Sequence, residues 1–296
     1  MSAEATPRFK PLAPRPETGR RAANLLIKIF AWIAALVGIA IMAFIVYYVV
    51  VRGAATMFHR GFFTQLPPGP GEGTGGLGNA ILGTILIVSL AALIGIPLGF
   101  LAGVYLAEFG RTSPVATTIR TVANMMVGLP SIIVGVFAYT ALVVTTGHYS
   151  VWAGAFALAV IMIPVMARTS EDIMNLVPNE MRESGLALGA ARYRVTLGVV
   201  VRAARNGLVT AGLLAVVRVS GETAPLIFTV LNSQFWPSLK NLDQPTANLT
   251  MTIFQFSQSP YQNWIDLAWG GALLIIIVVL GMNILTRVLF RRRKDW

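Results

Sequence analysis

Cysteine is absent from the 296 residues, and charged side chains make up only 12% of them. The first absence excludes disulfides and thiolate metal sites and says little about compartment. The second excludes an ordinary soluble enzyme, because soluble domains carry about 25% charged residues. Histidine is scarce as well: His59 and His148 stand far apart in the chain and offer no ligand cluster, so no metal site is expected. No G-x-x-x-x-G-K-[ST] sequence occurs, so the chain is not expected to hydrolyse ATP. No catalytic residue and no cofactor is predicted.

Apolar residues are what the chain has in excess. They form 55% of it, and the mean hydropathy is +0.70. That is the composition of a polytopic membrane protein, and the length accommodates about six spans of roughly 20 residues. The apolar runs place spans at about 25–51, 78–107, 121–144, 151–167, 207–228 and 266–289. Pro97, Pro130 and Pro164 fall inside three of them, and Pro97 is a predicted kink. The predicted fold class is therefore all-α, a membrane protein of six transmembrane helices. Residues 1–24 are Pro-rich, basic and aperiodic, which predicts a mobile tail. The apolar run that follows is too long for a signal h-region and is expected to stay as the first span. Residues 168–206 form the longest polar stretch inside the hydrophobic body, and 291–296 form a basic tail.

The formal charge is +11. A basic balance often points to nucleic acid, but the positive-inside rule accounts for it here without any polyanion. Nineteen Lys and Arg residues fall in the two tails, the 108–120 turn and the 168–205 stretch, against Arg52, Arg60 and Lys240 on the other side. Both termini and the 168–206 loop are thus expected in the cytoplasm. Trp152, Trp236, Trp264 and Trp269 fall near proposed outer boundaries, as an aromatic belt requires.

Two segments carry chemistry. The first is the loop 178–207, PNEMRESGLALGAARYRVTLGVVVRAARNG. Asn179 is expected to cap a helix whose first turn holds Glu180 and Glu183, Gly189 interrupts it, and Ala191–Val201 resumes it. From composition alone this is a polar inter-span loop that happens to be helical. The second segment is RVSGETAPLIFT, 218–229, which puts Arg218 and Glu222 inside the fifth span. An ionisable residue there costs about 2.5–3.5 kcal/mol. The spacing sets Arg218 and Glu222 four apart on one helical face, either as a structural ion pair or as the polar lining of a substrate path.

Weaker signals have plain readings. Gly71-x-Gly73-x-x-Gly76 matches a dinucleotide fingerprint by letters but precedes a membrane span and follows no strand. Asn248-Leu-Thr is a sequon to which no role is assigned. Arg168, at the end of the fourth span, reads as a snorkelling anchor.

Spacing in the first segment resembles a known family. Glu183-Ser184-Gly185, three residues, Gly189, then the apolar triplet Val199–Val201 is similar to the EAA loop of ABC importer permeases, although Ser184-Gly185 replaces Ala-Ala and Arg202 stands where Pro is usual. In the second segment, Gly221-Glu222-Thr223-Ala224-Pro225 resembles the signature of the phosphate-specific permeases. The stretches 78–109 and 127–139 look like the corresponding spans, and 259–284 resembles the A-type rather than the C-type subunit. The resemblance implies an ABC importer type I (MetI-like) permease fold in a bacterial inner membrane. It implies inorganic phosphate as substrate and, as partners besides the lipid bilayer, a C-type permease, an ATP-binding cassette ATPase dimer and a periplasmic or extracellular phosphate-binding protein. It implies that Glu183, Ser184, Gly185 and Gly189 couple to the ATPase, and that Arg218, Glu222 and a second basic group, Arg168, lie on the substrate pathway. A sulfate or molybdate permease is the nearest alternative reading. A secondary transporter is the rival from another class, and it should show repeats and discontinuous spans.

Overall fold

A computed structural model describes residues 17–111 and 113–289 of the chain, and every regular element among them is helical. Compactness divides the chain into two units, residues 1–50 and 51–296. In the first, the described residues form most of α1 (Glu17–Met57), which carries no charged residue from Ile29 to Val50. The helix begins eight residues before the predicted span, so residues 17–24 are helical; the rest of the predicted tail lies outside the described residues, as does 291–296.

The second unit holds α2 (Gly78–Phe109), α3 (Pro114–Gly128), α4 (Ser131–Thr146) and α5 (Val151–Asn175), then α6 (Asn179–Ala187), α7 (Arg192–Ser220), α8 (Ala224–Thr229), α9 (Leu249–Ser257) and α10 (Gln262–Leu289). Among the described residues α1, α2, α5, α7 and α10 are each long and apolar enough to cross a membrane, and α3 with α4 makes a sixth crossing if the pair is counted as one. That pair corrects the predicted third span. Instead of one helix over 121–144, the chain bends by 104° between α3 and α4. Leu129 is extended there because a residue before proline is driven out of the helical region, and Pro130 starts the next helix.

Helix α5 is the axis of the unit. Ser150 caps it through its Oγ, which accepts from the Ala153 amide at 3.1 Å. It runs on to Asn175, two turns beyond the predicted end. Helix α2 lies against it along Gly95, Gly99 and Gly103. A β-carbon on those residues would come within 3.0 Å of Met162 Cβ, 2.6 Å of Met166 Cβ and 2.5 Å of Ser170 Cβ respectively. Small residues four apart let two backbones approach in lipid, where dispersion rather than hydrophobic burial holds helices together. Helix α7 runs antiparallel to α5. The first turns of α5 (Val151, Ala155, Leu158) share a buried cluster with Ala215 and Val219, and its last turn (Met174) shares another with Val200 and Ala204.

The predicted fifth span shifts as well. Helix α7 starts at Arg192, well before Gly207, and stops at Ser220. At the same end of the bundle as Ser220, the Gly-rich stretch is tied down by α10. Asn263 Nδ2 donates to the Gly69 and Glu72 carbonyls, and Trp264 Nε1 donates to the Pro68 carbonyl at 3.0 Å. Asn248 of the sequon is buried, and its Oδ1 caps α9 by accepting from the Met251 amide at 2.9 Å.

Candidate functional site

The segment from Arg218 to Thr229 is a broken helix. Helix α7 stops at Ser220 with Gly221 as its cap, and α8 begins at Ala224 with Pro225 in its first turn, where proline's missing N–H has no partner to lose. Glu222 therefore sits in the break. Its amide donates to the Val219 carbonyl at 3.1 Å, and its carbonyl accepts from Thr250 Oγ1 at 3.0 Å. Two glycines seat the far side of the break. A β-carbon on Gly135 of α4 would fall 2.7 Å from Pro225 Cα, and one on Gly154 of α5 would fall 2.3 Å from Val230 Cγ2.

This geometry corrects the predicted pairing. Arg218 and Glu222 do not share one continuous helical face, and no hydrogen bond or ion pair joins them. Arg218 is exposed on the surface of the chain and has no hydrogen-bond or ionic partner among the described residues; Glu222 is half-buried. Arg218 lies roughly 20 Å along α7 from Arg205, at 1.5 Å per residue. Thr250, which holds the Glu222 carbonyl, lies in the first turn of α9, whose polar residues sequence reasoning missed. Thr252 Oγ1 donates to Asn232 Oδ1 at 3.3 Å, and Asn232 Nδ2 donates to Gln255 Oε1 at 2.7 Å. The run Asn248-x-Thr250-x-Thr252 was their only signal in the sequence.

Arg168 is not brought to this place. It lies near the end of α5, whereas Arg218 lies near the end of the antiparallel α7. Its Nη1 pairs with Glu171 Oε2 at 3.2 Å, and its Nε approaches Asp172 at 4.0 Å. Glu171 is buried, and Arg120 of α3 grips its other oxygen.

The loop between α5 and α7 is a helix, a glycine turn and a second helix. Helix α6 follows Pro178, so Asn179 is its first residue rather than its cap. Its carboxamide oxygen instead accepts from Arg182 Nη1 at 3.4 Å and from Arg111. The helix closes at Gly189, whose φ of +79° favours glycine, with its amide donating to the Leu186 carbonyl at 2.9 Å. Glu183 and Ser184 are exposed, and so are Met181, Leu186 and, almost fully, Leu188. Gly185 faces inward, where a β-carbon would lie 2.9 Å from Val195 Cγ2. Four of the predicted loop residues thus fall in one place: Glu183, Ser184 and Gly189 on the open surface and Gly185 beneath it.

Beneath the loop lies a buried ion pair that the sequence did not reveal. Arg182 Nε and Nη2 donate to Glu108 Oε1 at 2.9 and 2.7 Å, and Arg192 Nη2 donates to the Glu108 carbonyl. Seventy-four residues separate Arg182 from Glu108 in sequence. A lone carboxylate at the end of an apolar span was the available hint.

Comparison with known proteins agrees with this arrangement. The family described as "Binding-protein-dependent transport system inner membrane component" matches residues 95–295. The chain is 41% identical over 280 residues to the "Phosphate transport system permease protein PstA" of Yersinia pestis, covering 95% of this chain and 94% of that one. It is 43% identical over 277 residues to the protein of the same name from Haemophilus influenzae, covering 93% and 96%. Among solved structures, the inward-facing MetNI methionine ABC transporter matches with a TM-score of 0.61 at 19% identity, over 72% of this chain and 93% of that chain. The last likeness is one of fold: the helices have the arrangement of a MetI-like ABC importer permease.

Proposed function

The chain belongs to the family of binding-protein-dependent transport system inner-membrane components, and from that premise we propose that it is the A-type permease subunit of an ATP-driven phosphate importer. It is a multi-pass protein of the inner membrane and forms half of the translocation pathway. A related C-type permease forms the other half. Two copies of a separate ATP-binding cassette subunit hydrolyse ATP, and a periplasmic or extracellular binding protein delivers inorganic phosphate. Both termini and α6 face the cytoplasm, on the side that carries the excess of Lys and Arg.

The observation that carries the reading is Arg218, a cation without a partner among the described residues, one turn before Gly221-Glu222-Thr223-Ala224-Pro225. A bare charge at that depth is expensive in lipid, so it faces water, a partner subunit or an anion. A path for phosphate supplies all three. In this reading Arg218 attracts the anion and Glu222 keeps the resting site from holding it too tightly. Arg168, half-neutralised by Glu171, is a second basic group nearer the cytoplasm. Glu183, Ser184 and Gly189, with the exposed Met181, Leu186 and Leu188, form the surface that meets the ATPase, and Gly185 lets α6 lie close against α7. ATP binding draws the two ATPase copies and their docked helices together and turns the permease pair outward; hydrolysis resets it inward.

The test is uptake by the four-component complex in proteoliposomes. Phosphate entry is expected to require ATP and the binding protein and to resist excess sulfate and molybdate. Competition by either oxyanion would move the substrate to that class. Uptake that persists without ATP would point to a secondary transporter.

A further inference from the structure

Arg182 is the one charged side chain of α6 that points away from the docking surface. It is only 8% exposed. Its guanidinium is used on every edge. Beyond the two bonds to Glu108, Nη2 donates to the Met174 carbonyl at 2.7 Å and Nη1 to the Val177 carbonyl at 2.5 Å. One side chain on α6 thereby holds the end of α2 and the end of α5. Arg192 brings in α7: besides its bond to the Glu108 carbonyl, it lies over the Phe109 ring at 5.3 Å. Both neighbouring helices carry a wide π turn at this junction, Tyr105–Phe109 in α2 and Thr196–Val200 in α7. In α2 that turn buries Leu106, Ala107 and Glu108 in succession. Such turns recur at functional sites.

A buried ion pair is a poor way to gain stability, because apolar residues of similar volume often serve as well. What apolar packing cannot supply is a fixed set of directed bonds from one planar fork. We propose that Arg182 is a positioning residue that fuses the docking helix to the membrane helices, so that α6, the ends of α2 and α5 and the first turns of α7 move as one body. The turns flanking α6, residues 176–178 and 188–191, would otherwise absorb a push from the ATPase as a local swing. The inference rests on the reading of α6 as the helix that meets the ATPase.

The experiment uses the assembled transporter and two variants. Arg182→Lys keeps the charge but gives up the fork. The expected result is a complex that still co-purifies with its ATPase and keeps basal ATP hydrolysis. Binding-protein-stimulated hydrolysis and phosphate uptake should both fall about tenfold, a usual size for coupling between sites. A merely structural role would lower basal and stimulated activity together. Wild-type stimulation and uptake by Arg182→Lys would overturn the inference.

Should that variant fail to assemble, the pair Gly185→Cys/Val195→Cys leaves Arg182 intact in a chain otherwise free of cysteine. A β-carbon on Gly185 lies 3.6 Å from Val195 Cβ, inside the disulfide range of about 3.5–4.5 Å. One rigid body predicts that the oxidised double variant takes up phosphate at the rate of the same double variant reduced with dithiothreitol. Loss of uptake on oxidation, restored by dithiothreitol, would show that α6 must move against α7 and would overturn it too. Failure of the underlying reading is distinct: Gly189→Leu, on the open surface of the same loop, would then co-purify with the ATPase and take up phosphate normally.

Discussion

Arg120 Nε donates a 2.6 Å hydrogen bond to Glu171 Oε1, joining α3 to α5 across 51 residues. The same guanidinium donates through Nη2 to the Leu106 carbonyl of α2 at 2.8 Å. Glu171 is buried, and Arg168 holds its second oxygen from a more exposed position. The two arginines are therefore not equivalent. Arg120→Gln should strand a buried carboxylate, a change typically worth about 3–5 kcal/mol, with Arg168 keeping it toward the lower end. Arg168→Gln leaves the Arg120–Glu171 bond in place. We expect low membrane levels and poor co-purification for the first variant, and normal assembly with impaired phosphate uptake for the second. Equal assembly defects in both would remove Arg168 from the pathway.

Close approach at a single glycine gives a prediction about stability. A β-carbon on Gly83 of α2 would fall 1.9 Å from the Ala247 carbonyl oxygen and 2.9 Å from Thr246 Cγ2. Gly83→Ala must displace residues 246–249, breaking the 2.7 Å bond from the Leu249 amide to Thr84 Oγ1. The expected cost is about 1–3 kcal/mol, as for other overpacked positions. Gly128→Ala, where a β-carbon meets nothing within 4 Å, is the control. Thermal unfolding in detergent should separate the two, with only the first lowering the midpoint.

How much of this was legible beforehand depends on which force wrote the signal. Lipid demands unbroken apolar runs, so the positions of α2, α5 and α10 could be read directly. The ends of the helices could not. Helix α7 reaches back to Arg192 because its basic first turns lie beyond the apolar run, and it stops at Ser220 because Gly221 and Pro225 suit a break; the Gly-Glu-Thr-Ala-Pro letters were visible, but not that they unwind the helix. Pro130 was visible too, but a proline in the sequence does not give the size of the turn, 104° here, nor the close approach of Gly135 in α4 to Pro225 in α8. The Gly95, Gly99 and Gly103 spacing stood in plain sight and predicts a close helix contact. The Glu108–Arg182 pair left no local trace, since its partners meet only after the chain has folded back on itself.

Gly189 tests the docking surface. Its φ of +79° costs about 1–2 kcal/mol for a branched side chain, while asparagine tolerates that conformation. Apart from its chain neighbours, no atom of the described residues lies within 4 Å of a β-carbon there, so a larger residue projects outward, where the proposed docking role puts the ATPase. Gly189→Leu combines strain with obstruction, and Gly189→Asn reduces the strain. We expect the leucine variant to insert normally but to lose coupled hydrolysis, with the asparagine variant intermediate. Normal ATPase co-purification and uptake by Gly189→Leu would rule out a docking role for this turn.

The distribution of Lys and Arg predicts an orientation that fusions can measure. Reporters placed after residue 296 and within 180–200 should score cytoplasmic, and reporters near 70 and 245 external. The bent α3–α4 pair makes the third crossing the sensitive one. If the pair did not cross, positions 70 and 245 would score on opposite sides. A cytoplasmic score at 245 would end the six-crossing topology.

The absence of an Arg218–Glu222 bond changes what substitution of these residues should do. In a structural ion pair each single change leaves a buried charge uncompensated, and the double change restores assembly. Here Arg218 is exposed on the chain's surface and Glu222 lies in the break after α7, held through its backbone by Thr250. Neither side chain depends on the other, so neither single change should impair assembly. Arg218→Gln is expected to yield a well-assembled complex that no longer takes up phosphate, because the proposed path loses its cation. Glu222→Gln should be milder: phosphate still enters, but a more positive site releases it slowly, lowering the maximal rate more than the apparent affinity. The double variant Arg218→Gln/Glu222→Gln should remain assembled and inactive. Complex yield by size-exclusion chromatography and uptake of radiolabelled phosphate across a concentration series measure all three. Recovery of uptake in the double variant would mean that the two charges serve each other and not the anion.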